Sequence, residues 1–344
     1  MEYVSLGKTN MMVSRSSFGS LPIQRVKDME EAVSIVRAAY EGGINFFDTA
    51  RAYSDSEEKL GFAFYGMRKD VFIATKSAAV TAEALRDDLS KSLEALQTDY
   101  IDLYQLHNPG FLPVPGSKDR LYDTLVTLKN QGKIRHIGIT SHSLEIARSA
   151  ALSGLYETVQ YPFSLLATKE EIELVKLCEK NDVGFIAMKA LCGGLLTNIP
   201  LAFGFIRQYE NVVPIWGIQS MEEIQQILYF ESHPPLIDER FNIEVMEEKA
   251  ALSGDFCRGC GYCLPCPQGI PINDANRMMQ LLRRAPSENW LTPEWHEKMM
   301  RIESCTKCGA CAAKCPYHLK PFETLPKHLA DYLQMYEAHS NNSN

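Results

Sequence analysis

In Ile44-Asn45-Phe46-Phe47-Asp48-Thr49-Ala50-Arg51-Ala52-Tyr53 an apolar run stops abruptly at a carboxylate, and a tyrosine follows on the loop beyond. Two later stretches repeat the design with a different polar terminus. Val71-Phe72-Ile73-Ala74-Thr75 ends at Lys76, and Ile101-Asp102-Leu103-Tyr104-Gln105-Leu106 ends at His107. Short β-rich apolar runs separated by helical segments read as buried parallel strands. In a closed barrel of such strands the C-terminal strand ends converge on the active-site face. Asp48, Lys76 and His107 would then meet around one pocket, with Tyr53 entering from its loop, as a set suited to moving a proton.

The flanking sequence keeps the same alternation. Residues 1–20 read as a short hairpin feeding a first strand that ends at Ser17-Phe18-Gly19-Ser20, where Gly19 would let a ligand approach closely. A helix over Asp28–Gly42 carries Ala32, Val33, Ile35, Val36 and Ala39 at helical spacing. Helices near 56–66, 81–97, 118–131, 143–153, 168–181 and 202–208 then separate strands ending near Thr75, Leu106, Ile139, Gln160, Ala187 and Trp216, and a last helix begins near Ser220. Eight strand–helix pairs suit a (β/α)₈ TIM barrel of class α/β. A doubly wound open sheet is the second choice, since no Gly-x-Gly-x-x-Gly follows the first strand. Beyond His107, the proline-rich loop 108–116 reads as a pocket wall.

Composition narrows the function. The net charge of −8 and scattered basic residues argue against nucleic-acid or anionic-membrane partners. No apolar run reaches the roughly 18 residues of a membrane span. The start of the chain lacks the basic and apolar regions of a secretory signal, so the chain reads as soluble and cytoplasmic.

Eight of the ten cysteines crowd into two late runs. These are Cys257, Cys260, Cys263 and Cys266, then Cys305, Cys308, Cys311 and Cys315. In a cytoplasmic chain that crowding favours thiolate metal ligation over disulfides. The second run has the C-x₂-C-x₂-C-x₃-C-P spacing of bacterial two-cluster ferredoxins, in which the fourth cysteine serves the other [4Fe–4S] cluster. Zinc is the alternative, though it favours separated Cys-x₂-Cys pairs. The first run has x₂ before Cys266, which leaves open whether that thiol crosses to the second cluster. Cys178 and Cys192 read as core or loop thiols. The chain therefore divides into a barrel over 1–235, a helical connector over 236–256, an α-helical and loop-rich ferredoxin-like domain over 257–325, and a C-terminal helix with a frayed tail over 326–344.

Residues 1 to about 230 resemble the aldo-keto reductase family, and the whole is similar to the branch with a C-terminal ferredoxin-like domain. The matching motifs are Asp48-Thr49-Ala50-Arg51-Ala52-Tyr53, Ala74-Thr75-Lys76, Asp99–His107 and Gly132–Gly138. The resemblance implies a nicotinamide-dependent oxidoreductase that interconverts a small carbonyl compound and its alcohol, with Asp48, Tyr53, Lys76 and His107 as catalytic tetrad. Tyr53 would supply the proton, and Lys76, held by Asp48, would lower its pKa from near 10. His107 would orient the carbonyl oxygen.

Cofactor contacts carry over position by position. Gln160 matches the glutamine that holds the nicotinamide carboxamide, and Thr140 and Ser141 occupy a serine–asparagine position. Met188 stands where many members place a ring-stacking tyrosine, with Lys189 beside it as a pyrophosphate contact or a solvated lysine. The segment Gly217–Gln226 matches the adenosine-binding stretch. Gln219, Ser220 and Glu223 stand where NADP-binding members carry cations, so NAD(H) is expected over NADP(H). Three readings stay open for the two clusters: a carbonyl reductase with structural or regulatory clusters, an enzyme whose clusters feed electrons to substrate or to a one-electron redox partner, and a non-enzymatic NAD(H) sensor.

Overall fold

The computed structural model describes residues 1–194, 196–252, 257–259, 261–284, 289–315 and 317–342. The described chain divides into two compact units, one of Met1–Ala190 with Pro200–Asn242 and one of Leu191–Ile199 with Ile243–Asn344.

The first unit opens with an antiparallel hairpin, β1 (Tyr3–Ser5) and β2 (Met12–Ser14). Its turn is made by Gly7 and Asn10 at φ 52° and 58°, a left-handed conformation that glycine and asparagine adopt most readily. Eight parallel strands follow: β3 (Ser17–Gly19), β4 (Phe46–Asp48), β5 (Phe72–Ser77), β6 (Ile101–His107), β7 (Ile134–Thr140), β8 (Thr158–Pro162), β9 (Gly184–Met188) and β10 (Val212–Gly217). They close into a barrel in sequence order, with β10 returning to pair with β3. The expected (β/α)₈ architecture is therefore present, and the open sheet is ruled out.

Each strand alternates, because successive side chains point to opposite faces. Phe46, Ala74, Leu103, Ile186, Val213 and Ile215 pack together with Leu6, Met11 and Val13 of the hairpin. Two residues further along the same parity come Asp48 on β4, Lys76 on β5 and Gln105 on β6. The apolar core thus gives way, one step up each strand, to a polar set at the C-terminal rim.

The helices between strands are α1 (Met29–Glu41), α2 (Ser56–Ala63), α3 (Ala82–Ala95), α4 (Leu121–Asn130), α5 (Leu144–Ser153), α6 (Lys169–Lys180), α7 (Ile199–Arg207) and α8 (Met221–Ser232). Several of their starts are fixed by side-chain caps. Asp28 accepts from the amides of Glu30 and Glu31, Thr81 from Ala84, and Thr168 from Glu171. A helix α9 (Glu239–Ala251) leads onward.

The second unit holds α10 (Ile272–Ala275), α11 (Met278–Arg284), α12 (Pro293–Met300), α13 (Ala310–Ala313) and α14 (Pro321–Asn342). Its core joins Ile270, Ile272, Met278, Leu282, Met299, Ile302, Leu325 and Tyr332, with Cys311 buried among them and Cys263, Cys266 and Cys305 packed at its edge. The last helix starts at Pro321 rather than near 326, because proline is tolerated at a first helical position, where its missing N–H has no partner to lose. Among the described residues no helix is long and apolar enough to cross a membrane.

Candidate active site and metal centres

The four residues of the tetrad meet. Asp48 ends β4, and the adjacent strand β5 carries Lys76, whose Nζ donates to Asp48 Oδ1 at 2.5 Å and to the Thr49 carbonyl at 2.6 Å. Tyr53 returns from the loop after β4, its backbone N–H closing a turn onto Ala50 O at 3.0 Å. The Lys76 ammonium lies 5.0 Å from the Tyr53 ring centroid. His107, last residue of β6, stands edge-on to Tyr53 with ring centroids 5.8 Å apart.

Burial decides the electrostatics. Asp48 and Lys76 are both about 1 % exposed. Desolvation opposes the Lys76 charge, but Asp48 and Tyr53 outweigh it and hold the ammonium above its ordinary value. Desolvation pushes Asp48 up, against the pull of Lys76 and of the Gln160 and Gln105 amides. For Tyr53 the expectation from sequence needs correction. Lys76 does favour the phenolate, yet burial is the larger influence and raises the phenol above 10. Tyr53 is thus kept as a protonated donor. His107 is pushed down to about 3 by burial and by the nearby Lys76 charge, so its ring is neutral at any ordinary working pH.

Below the tetrad lies a residue that sequence reading passed over. Gln105, two residues before His107 and on the same strand face, is wholly buried. Its Nε2 donates to Gln160 Oε1 at 2.9 Å and to Asp48 Oδ2 at 3.3 Å. The available signal was parity: a polar side chain at an inward position of an otherwise apolar strand.

The positions matched to cofactor contacts continue the same rim. Thr140 pairs with His107 across β6–β7 and with Gln160 across β7–β8. The Thr140 hydroxyl accepts from the Asn108 amide at 2.9 Å, and Ser141 turns its hydroxyl to the Ser143 backbone. Met188 ends β9 beside Pro162, and Lys189 follows in a left-handed conformation at φ 59°. Gly217 pairs with Gly19 across the closing β10–β3 contact. A Cβ on Gly19 would come 3.0 Å from the Trp216 carbonyl, so strand packing alone accounts for that glycine. Gln226 is exposed on α8.

Glu223 has a role that sequence reading did not assign. Ser220 and Glu223 form a capping box at the start of α8. The Glu223 carboxylate accepts from the Gln219 amide at 2.7 Å and the Ser220 amide at 3.2 Å. A carboxylate therefore already takes up helix-terminal N–H groups that would otherwise attract an anion.

In the second unit the cysteines surround two cavities. One is walled by Cys263, Cys266, Cys305, Cys308 and Cys311, and by Ile270, Phe322 and Leu325. The other is walled by Cys257, Cys263 and Cys315 together with Arg258 and Tyr317. Cys260 lies outside the described residues. The two runs share left-handed residues at matching places: Gly259 and Gly261 have φ 63° and 81°, and Lys307 and Gly309 have φ 53° and 76°. Among the described residues no three ligand-type side chains converge closely enough for a single ion. Thiols ringing a cavity suit a polynuclear cluster better than zinc.

Comparison with known proteins agrees with both halves. Residues 16–201 match the model of the Aldo/keto reductase family, and residues 256–320 match that of a 4Fe-4S dicluster domain. The aldo-keto reductase YhdN of Bacillus subtilis is 32% identical over 216 residues, covering 57% of this chain and 64% of that protein. The NADH-specific methylglyoxal reductase of Escherichia coli is 28% identical over 230 residues, covering 57% and 69%. About a third of each relative's length therefore lies outside the match. An aldo-keto reductase from Bacillus halodurans shares the fold, with TM-score 0.63, 22% identity, and coverage of 72% of this chain and 96% of that one. A Klebsiella pneumoniae aldo/keto reductase solved with NADP and acetate gives TM-score 0.63 at 21% identity, covering 72% and 95%.

Proposed function

We propose that this chain, which belongs to the aldo/keto reductase family, reduces a small aldehyde or ketone with NADH. The observation that carries this is the convergence of Tyr53, the buried Asp48–Lys76 ion pair and His107 on one rim of the barrel. A reduced nicotinamide, when bound, supplies the hydride that reaches the carbonyl carbon. Gln160 on β8 and Met188 at the end of the adjacent β9, both uncharged, would fit such a ring.

The chain's own residues manage the proton. His107 N–H donates to the carbonyl oxygen and orients it toward Tyr53. As negative charge grows on that oxygen, the Tyr53 hydroxyl gives up its proton, and Lys76 stabilises the phenolate left behind. Asp48 keeps Lys76 charged and in place. Lys76 offsets part of the cost that burial places on the Tyr53 phenolate, which is what lets a buried tyrosine release its proton.

The preference for NADH rests on Glu223. Its carboxylate on the α8 amides would repel an adenosine 2′-phosphate, and a ribose hydroxyl can donate to it instead. Glu223→Arg is expected to shift relative affinity toward NADPH about ten- to hundredfold, one charge-assisted bond contributing about 1.5–3 kcal/mol. Loss of the capping box should lower the melting temperature slightly in the same variant. A wild-type protein that binds NADPH more tightly would contradict this assignment.

For the cysteines we propose two [4Fe–4S] clusters with exchanged fourth ligands. Cys305, Cys308 and Cys311 would hold one together with Cys266, and Cys257, Cys260 and Cys263 the other together with Cys315. Such clusters supply one-electron transfer when present, and here their thiolates would also tie the second unit together. Steady consumption of NADH by an aldehyde, with no other electron acceptor, tests the whole reading.

A further inference from the structure

Gln105 stands where the tetrad and the cofactor side of the rim meet. Its amide spans from β6 to Asp48 on β4 and Gln160 on β8, in a gap that β7 leaves open. A Cβ on Gly138 would come 2.3 Å from Thr158 Oγ1 and 3.0 Å from Gln105 Cγ, so β7 offers no side chain there. The orientation of the amide is forced. Asp48 only accepts, so the NH₂ end of Gln105 must face it. The opposite end, Oε1, is buried without a hydrogen-bond partner among the described residues, as is Thr158 Oγ1. Leucine or methionine would fill this place without burying a polar amide, so glutamine here points to a task other than packing.

We propose that Gln105 is a positioning residue for the reaction inferred above. By donating to Asp48 and to Gln160 at once, it keeps the carboxylate turned toward Lys76 and locks the Gln160 amide in one orientation. The groups facing Asp48 are Lys76 from β5, Tyr53 from the loop after β4, Gln105 from β6 and Gln160 from β8, with His107 behind Tyr53, while Ser20, just past β3, bonds its carbonyl. Only Lys76 among them is a cation at neutral pH. The Gln105 donor therefore bears directly on how readily this buried carboxylate takes up a proton.

The sign follows. Donation to the carboxylate favours its ionised form, so removing the donor lets Asp48 protonate at higher pH. With Asp48 neutral, Lys76 loses its anchor and reduction falls. In Gln105→Met the acid limb of the kcat profile should move to higher pH, kcat at neutral pH should drop about tenfold, and aldehyde KM should stay within twofold. Gln105→Glu should move the limb further, because a second carboxylate disfavours the first. Thr158→Val, which removes the neighbouring hydroxyl and leaves the amide bridge intact, should keep the wild-type profile.

A second readout does not need turnover. NADH affinity, titrated by fluorescence on the purified full-length protein, should weaken several-fold in Gln105→Met and in Gln160→Met, and no further in the double variant. This inference rests on the proposed reduction, yet the two can fail separately. A wild-type protein inactive toward aldehydes overturns the function, whereas additive losses of NADH affinity overturn the role of Gln105. Superimposable pH profiles for wild type and Gln105→Met in an active enzyme overturn it as well.

Discussion

Tyr53→Phe is expected to lower carbonyl reduction on the order of 10²–10⁴-fold while NADH affinity stays within a few-fold. The substitution removes one hydroxyl from a loop residue whose ring still packs beside His107, so the pocket keeps its shape. What is lost acts only as charge develops on the substrate oxygen, which is why kcat rather than binding should fall. His107 cannot take over. Burial and Lys76 hold it near 3, so it has no acidic proton to give at neutral pH. For the same reason the wild-type profile should show no limb from His107 between about pH 5 and 8, where an unperturbed histidine would titrate. Near-wild-type kcat in Tyr53→Phe would remove the tyrosine from the mechanism.

Cys308→Ser should halve the iron. Protein purified without oxygen is expected to carry about eight iron and eight sulfide per chain, as two cubes require, and the variant about four. Zinc without sulfide in the wild type would refute the cluster assignment. The loss should also loosen the second unit. Its core is modest and is packed directly against the cysteines, with Cys311 buried within it and Cys263, Cys266 and Cys305 packed against it. A small domain of this kind commonly depends on metal crosslinks for stability. Proteolysis should therefore cut between residues 257 and 320 in the variant, while the barrel, with its own interior, resists. Unchanged protease resistance would mean that the apolar core alone suffices.

How much of this was legible in the sequence depends on what each feature rests on. The meeting of Asp48, Lys76 and His107 at one rim was, because strand ends on one barrel face are set by periodicity and by chain order, both visible in residues 44–107. Glu223 was read only as a cofactor position, although Ser-x-x-Glu before an apolar helix is also a capping signature, and one side chain can serve both. Tyr53 was expected to be acidified by Lys76. Burial reversed the balance, and burial of a loop tyrosine is a product of tertiary packing that no local pattern reports. Gln105 was passed over inside an apolar strand, because its significance comes from two partners 57 and 55 residues away in the chain. The partition of Cys266 and Cys315 between cavities likewise needed the folded chain, since spacing alone left Cys266 undecided. The grouping of Leu191–Ile199 with the second unit has no signature in sequence, because it follows from contacts made after folding.

The central claim is direct transfer from nicotinamide to carbonyl carbon, with the clusters outside that path. It is tested most directly by supplying stereospecifically C4-deuterated NADH of each face and a small aldehyde to the anaerobically purified protein, with no other electron acceptor. The account predicts steady turnover, one alcohol formed per NADH consumed, and deuterium on the carbinol carbon from one of the two labelled forms. Turnover that leaves no deuterium on that carbon with either label, or that starts only when a one-electron donor is added, would contradict it.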